Sequence, residues 1–77
     1  MKTFEESGIR CLDLHGVRHD CVESELMDFC YRFQDKVPLK IICGNSKKMV
    51  DICTKSLTDH GIDYDFQRYG IIIVVKI

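Results

Sequence analysis

The sequence predicts an α/β two-layer sandwich with the element order βαβαββ. Short β-rich runs alternate with two segments of helical periodicity, which is the pattern of βαβ units. The runs lie at residues 9–15, 39–43, 62–67 and 71–77, and the helical segments at about 21–34 and 46–60. A strand, a helix and a second strand favour parallel pairing with a right-handed crossover. We therefore predict a four-stranded mixed sheet with two helices on one face.

The first helix is predicted from its start signal and its apolar stripe. Asp20 can accept hydrogen bonds from the first-turn amides, and Glu23 completes a capping-box pattern. Residues 35–38 end the helix, since Pro38 lacks an amide donor and disfavours helix before it. Within this segment the apolar residues recur at helical spacing and form one stripe: Val22, Leu26, Phe29, Cys30 and Phe33.

The second helix and the last two strands are predicted in the same way. His60-Gly61 is typical of a helix end, and the stripe of this helix contains Met49, Val50, Cys53 and Leu57. Residues 62–67 alternate as a half-buried strand, and residues 71–77 are apolar on both faces, which predicts an interior strand. Two helices on one side leave the other sheet face open to a protein partner or a second copy, unless residues 1–8 cover it.

Length and composition indicate one domain. The chain has 77 residues, of which 45% are hydrophobic and 30% charged, and a chain of this size buries only about 60% of its unfolded surface. Residues 1–8 show no convincing period and are assigned to a lead-in segment, and residues 9–77 to the domain.

Charge, apolar runs and cysteine spacing exclude several classes of protein. The net charge of −1 gives no domain-wide basic field for nonspecific nucleic-acid binding. Residues 1–6 lack the apolar core of a signal peptide and residues 71–75 are too short to span a bilayer, so we expect a cytoplasmic protein without a membrane partner. The five cysteines form no Cys-x-x-Cys pair, which favours reduced core thiols over a zinc ribbon or disulfides.

An acid and an imidazole lie close together at the end of the first strand. In the run Leu12-Asp13-Leu14-His15-Gly16, strand alternation places Asp13 and His15 on one face. Gly16 permits a sharp turn or the approach of a ligand, and sites in α/β sheets form at the carboxyl ends of strands. His15 is a candidate general base or acid and Asp13 its partner. An edge strand with polar residues facing water explains the same pattern.

The turn after the second strand is a candidate anion site. Gly44, Asn45 and Ser46 precede a helix whose free amides and dipole favour a phosphate, and Lys47 and Lys48 add positive charge. An ordinary Asn/Ser helix cap with solvated lysines is the competing interpretation.

Other residues give weaker signals. Cys43 with His15 would form a nucleophile pair or a metal site, but alternation places Cys43 in the core. His19 follows His15 by four residues, but Gly16 interrupts any shared helix, so no metal ligands are assigned. Among the aromatic residues that stack on bases, Tyr64 and Phe66 are expected in the core, and Tyr69, beside Arg68, is the better candidate.

These motifs resemble the small MutS-related (Smr) domain over about residues 9–77. The Leu-Asp-Leu-His-Gly run matches the first signature of that family, and the element order agrees. The resemblance implies a sandwich similar to the C-terminal domain of bacterial translation initiation factor three. It also implies nucleic-acid binding and, in several members, endonuclease activity on DNA or RNA. The functional residues carry over as Asp13, His15 and Gly44.

The second family motif, His-Gly-Lys/Arg-Gly, departs from this pattern here. Cys43 replaces the usual His or Thr, Asn45 the basic residue, and Ser46 the second glycine. These departures bear on cleavage more than on binding.

Three functions follow from the sequence. The first is a stand-alone Smr-like domain that binds RNA or DNA and acts as an endonuclease, a hydrolase, through Asp13 and His15. The second is a non-catalytic protein-interaction module, and the third is a binder of a small phosphorylated ligand at Gly44 to Lys48. The sequence identifies no cofactor and leaves the use of a divalent metal ion open.

Overall fold

The protein, described over residues 3–77 by a computed structural model, is an α/β domain with a five-stranded mixed sheet and two α-helices. The strands lie in the order β1-β2-β3-β5-β4. As predicted, β2 and β3 are parallel, and β5 is interior, antiparallel to β3 and β4. In chain order the elements are β1 (Thr3–Glu6), β2 (Ile9–Asp13), α1 (His19–Arg32), a 3₁₀ turn (Gln34–Lys36), β3 (Leu39–Ile42), α2 (Lys47–Asp59), β4 (Asp63–Arg68) and β5 (Ile71–Lys76).

The fifth strand, β1, corrects the prediction of four strands. Thr3–Glu6, placed by the sequence in a lead-in, pairs antiparallel with β2. Ser7 and Gly8 connect the two strands with φ of 52° and 82°, the positive values that a two-residue hairpin turn of type I′ requires. Thr3–Glu6 has no apolar alternation, so only the Ser-Gly turn pointed to this hairpin. Met1 and Lys2, the rest of the predicted lead-in, lie outside the described residues.

The core lies between the sheet and both helices. The apolar stripes of α1 and α2 are buried against alternate strand residues, as expected for a two-layer packing. Leu14, Leu26, Leu39, Ile41, Leu57 and Ile72 are among its fully buried side chains. Four of the five cysteines are buried thiols as predicted, but Cys21 is exposed. Burial raises the pKa of Cys30 to about 11, so this thiol stays protonated at neutral pH.

The start of α1 differs from the prediction. The helix begins at His19, and its N-cap, Arg18, makes no side-chain cap hydrogen bond. A backbone turn starts the helix instead, with the Cys21 amide donating to the Arg18 carbonyl at 2.9 Å. Asp20 therefore lies inside the first turn, where a carboxylate is favoured by the helix dipole, and pairs with the Arg18 side chain at 3.5 Å. The predicted cap and capping box are wrong.

One face of the sheet is not covered by the helices. We call the side away from both helices the uncovered face. The β1 strand lies beside β2 in the plane of the sheet, so it extends this face and does not cover it. Phe4 and Val75 are 39% and 43% exposed there. Within the described residues, neither helix is long and apolar enough to cross a membrane.

A contact between two glycines joins the β4–β5 turn to the end of β3. The Cys43 amide donates to the Gly70 carbonyl at 2.7 Å. A Cβ atom on Gly70, whose φ is +84°, would lie 2.3 Å from the Gly44 carbonyl oxygen. No side chain fits between these backbones, so Gly70 is required by both space and conformation.

Gly70→Ala is expected to lower the free energy of unfolding by about 3 kcal/mol, from the left-handed backbone and the contact with Gly44. Gly8→Ala is the matched control, because Gly8 has a φ of +82° and no atom within 4 Å of an added Cβ. It should cost only about 1 kcal/mol. Urea denaturation followed by circular dichroism measures both losses. Equal losses would show that the glycine contact imposes no extra cost.

Candidate functional site

The first two parallel strands end at the same edge of the sheet. The hydrogen bonding between β2 and β3 continues past the last residue of β2, because the Leu14 amide donates to the Ile42 carbonyl at 2.9 Å. The chain then turns, with the Val17 amide donating to the Leu14 carbonyl at 3.0 Å. The exposed His15 lies in this turn, and a Cβ atom built on Gly44 would lie 3.9 Å from its Cδ2 atom. His15 and Gly44 are therefore neighbours across the two strand ends.

Asp13 acts on the backbone of His15. Its Oδ1 atom accepts a hydrogen bond from the His15 amide at 2.9 Å, the local side-chain-to-backbone pattern of an Asx turn. Within residues 3–77, no hydrogen bond joins the Asp13 carboxylate to the His15 ring. The strand ends at Asp13, so strand alternation does not extend to His15. Asp13 thus shapes the turn that presents the imidazole.

The N-terminus of α2 lies beside this turn. Ser46 caps the helix, which was the competing interpretation of this turn, and its Oγ atom accepts from the Met49 amide at 3.2 Å. Lys47 extends along the helix to Asp51, with its Nζ atom 2.8 Å from Oδ2. The hydrogen bond and charge of Asp51 raise the pKa of Lys47. Lys48 is exposed and makes no ion pair within the described part of the chain. Of the two predicted lysines, Lys48 is the one free to meet an anion.

A row of side chains crosses the sheet at the same edge. Asp13 pairs in register with Ile42, Ile42 with Ile71, and Ile71 with Arg68. The row spans three strand spacings, or about 14 Å. The acidic Asp13 and the basic Arg68 stand at its two ends, with the apolar Ile42 and Ile71 between them. Sequence reasoning missed Ile42 and Ile71, because only the register of β3 with β5 brings them together.

A cleft of about 370 Å³ opens beside this row, and we call it the Tyr69 cleft. Of the predicted site residues, Asn45 lines this cleft. Gly16 lies instead in the exposed turn after His15. Tyr69 is 57% exposed, whereas Phe66, predicted in the core, is 51% exposed and packs edge-on against Tyr64 at 5.9 Å. The edge strand β4 leaves one side of Phe66 in solvent. The lining residues of the cleft are Ile42, Gly44, Asn45, Arg68, Tyr69, Gly70 and Ile71.

Cys43 faces away from the site. It is 2% exposed and belongs to the core, as alternation predicted, so its sulfur is not accessible to a substrate. A hydrogen bond with Cys43 and burial raise the pKa of the neighbouring Cys53, which keeps that thiol protonated. Among residues 3–77, no three His, Cys, Asp or Glu side chains lie close enough to hold a metal ion.

Comparison with known protein families, with curated proteins and with solved structures finds no significant match to this chain. The Smr resemblance therefore depends on the Leu-Asp-Leu-His-Gly run and the order of elements.

Ser46→Ala is expected to lower the free energy of unfolding by about 1 kcal/mol, because the Met49 amide loses its acceptor. Asp20→Ala is the control at the start of the other helix. It should cost only about 0.5 kcal/mol, since Asp20 makes an exposed ion pair and meets the helix dipole but caps no amide. Thermal denaturation measures both variants. A larger loss for Asp20→Ala would contradict the assignment of the caps.

Proposed function

We propose that this chain is an Smr-like nucleic-acid-binding domain, similar in fold to the C-terminal domain of bacterial translation initiation factor three. It binds RNA or DNA at the edge where β2 and β3 end, and His15 takes part in cleavage of the backbone. The observation that carries the proposal is the approach of His15 to Gly44, beside the N-terminus of α2.

The local charge of this edge supports binding of a phosphodiester backbone. The chain as a whole has a net charge of −1, so attraction of a polyanion must be local. Lys48 and Arg68 stand at this edge, and the first amides of α2 point towards it. Asp51 offsets much of the charge of Lys47, with which it pairs at 2.8 Å. Binding is therefore expected to be weak and strongly salt-dependent.

The exposed imidazole of His15 is the group suited to proton transfer, because histidine exchanges protons near neutral pH. As a base it removes the proton of a ribose 2′-hydroxyl or of a water molecule, and the oxygen formed bonds to phosphorus as the bond from phosphorus to the leaving oxygen breaks. As an acid it donates a proton to the leaving oxygen. The 2′-hydroxyl route requires RNA, whereas the water route serves RNA and DNA.

Asp13 is a positioning residue in this proposal. Its carboxylate accepts from the His15 amide, so it fixes the backbone on which the imidazole stands. The family motif pairs the two residues, and in this chain their link passes through the main chain. Loss of Asp13 is thus expected to act through the placement of His15.

Lys48→Glu is expected to weaken binding of labelled single-stranded RNA by about tenfold at low salt, and to reduce the slope of log K against log salt by about one. Lys36→Glu makes the same charge change near the opposite end of the sheet, in the 3₁₀ turn before β3. It should change affinity less than about twofold. Fluorescence anisotropy across a salt series measures both variants. Equal losses would place the binding surface elsewhere.

His15→Ala is expected to abolish cleavage of labelled single-stranded RNA, structured RNA and duplex DNA while binding is kept. His19→Ala is the matched control, since His19 is also exposed and lies at the start of α1. Gel analysis of the products measures the loss, and a 2′,3′-cyclic phosphate end would identify the 2′-hydroxyl route. Cutting that persists in His15→Ala would remove His15 from the mechanism.

A protein-interaction module is the second candidate function. Two apolar side chains exposed on the uncovered face, Phe4 and Val75, favour it. Failure of the wild-type protein to bind any of the nucleic acids at low salt would favour this second function.

A further inference from the structure

We propose that the Tyr69 cleft holds one unpaired nucleobase, stacked on the Tyr69 ring, and that the domain therefore prefers single-stranded to duplex nucleic acid. This inference rests on the proposed function and names the form of nucleic acid that the same edge binds.

The position of Tyr69 is the first support. Its ring is 57% exposed in the turn between β4 and β5, so it adds little to the core. Within the described residues it packs against no other aromatic ring, whereas the exposed Phe66 has Tyr64 as an edge-on partner. Exposed aromatic rings next to a basic residue are the platforms on which single strands stack their bases. Arg68 is that basic residue.

The shape and lining of the cleft are the second support. Its volume of about 370 Å³ is at the small end of the range of about 300–1,000 Å³ for ligand sites. Ile42 and Ile71 form an apolar floor, and Gly44 and Gly70 bring bare backbone to its wall. Apolar floor and backbone polar groups together suit a flat heterocycle whose edge carries donors and acceptors.

The neighbouring charges are the third support. Asn45, two residues before the first residue of α2, lines the same cleft as Tyr69, so Tyr69 lies near the start of this helix. A base stacked on Tyr69 thus has its own phosphate near the free amides and Lys48. The cleft between β1 and α1, about 350 Å³, is lined by Glu25, Asp28 and Arg32. Arg32 pairs with Asp28 at 3.0 Å, which leaves the charge of Glu25 to repel a phosphate.

Stacking on a protein ring requires a base that is free of its own stack. In a duplex both faces of each base are occupied by neighbours, and extrusion costs a few kcal/mol. A single strand presents its bases without that cost. The duplex therefore contacts only the phosphate-binding part of the edge, and binds more weakly.

Tyr69→Ala is expected to weaken binding of single-stranded RNA and of single-stranded DNA of the same sequence by about 5- to 150-fold, as for loss of one stacked base. Binding of the duplex should change less than about twofold. Tyr69→Phe keeps the ring and should retain affinity. Tyr31→Ala is the matched control, because Tyr31 is 44% exposed and lies on α1, outside the cleft. The ratio of RNA to DNA affinity identifies the preferred strand.

A second measurement does not depend on the alanine variant. The chain contains no tryptophan, so Tyr69→Trp supplies a single reporter, whose fluorescence should be quenched when a single strand is added and not by the duplex. Adenosine monophosphate tests whether the ligand is a free nucleotide. If it bound as tightly as the single strand, the cleft would take a free nucleotide, and the proposal that it holds a base of a strand would be overturned. So would equal losses for single strand and duplex in Tyr69→Ala, or no quenching on binding. Absence of all nucleic-acid binding by the wild-type protein would instead refute the proposed function.

Discussion

The close approach of Gly70 to Gly44 is the constraint on which the arrangement of the site depends. With a hydrogen bond of 2.7 Å from the Cys43 amide to the Gly70 carbonyl, the turn between β4 and β5 is held against the end of β3. This contact brings Tyr69 and Arg68 to the edge that already carries His15. The site is therefore built by three loops from distant parts of the chain, joined where glycine allows two backbones to touch.

The same edge shows how one carboxylate can have a structural role in a motif that looks catalytic. Asp13 accepts from the amide of His15, and this bond determines the direction of the turn. A hydrogen bond to the imidazole would have adjusted its proton affinity, whereas a bond to the amide adjusts its position. The pair Asp13 and His15 is thus a single unit in which one residue presents the other, and the proposed proton transfer belongs to the exposed ring.

Local signals in the sequence were reliable where packing agreed with them. Ser46 was predicted to lie at the start of the second helix, and its side chain caps that helix by accepting from the Met49 amide. Asp20 carried an equally good signal, but a backbone turn starts the first helix earlier and leaves that carboxylate in an ion pair with Arg18. Phe66 fitted a strand with a buried face, yet its strand lies at the edge of the sheet and exposes half of the ring.

The sequence by itself determined the two helices, four of the strands, the parallel pairing of β2 with β3 and the interior place of the last strand. These features follow from the period of the apolar residues and from helix-ending residues such as Pro38, which are local properties. It also indicated that His15 and Gly44 are neighbours at one edge. Tertiary structure decided the fifth strand, the row from Asp13 to Arg68 and the cleft beside Tyr69. The fifth strand forms a local hairpin and escaped prediction because Thr3–Glu6 lacks apolar alternation. The row and the cleft depend on strand order and register, which are contacts between distant residues that short-range patterns do not encode.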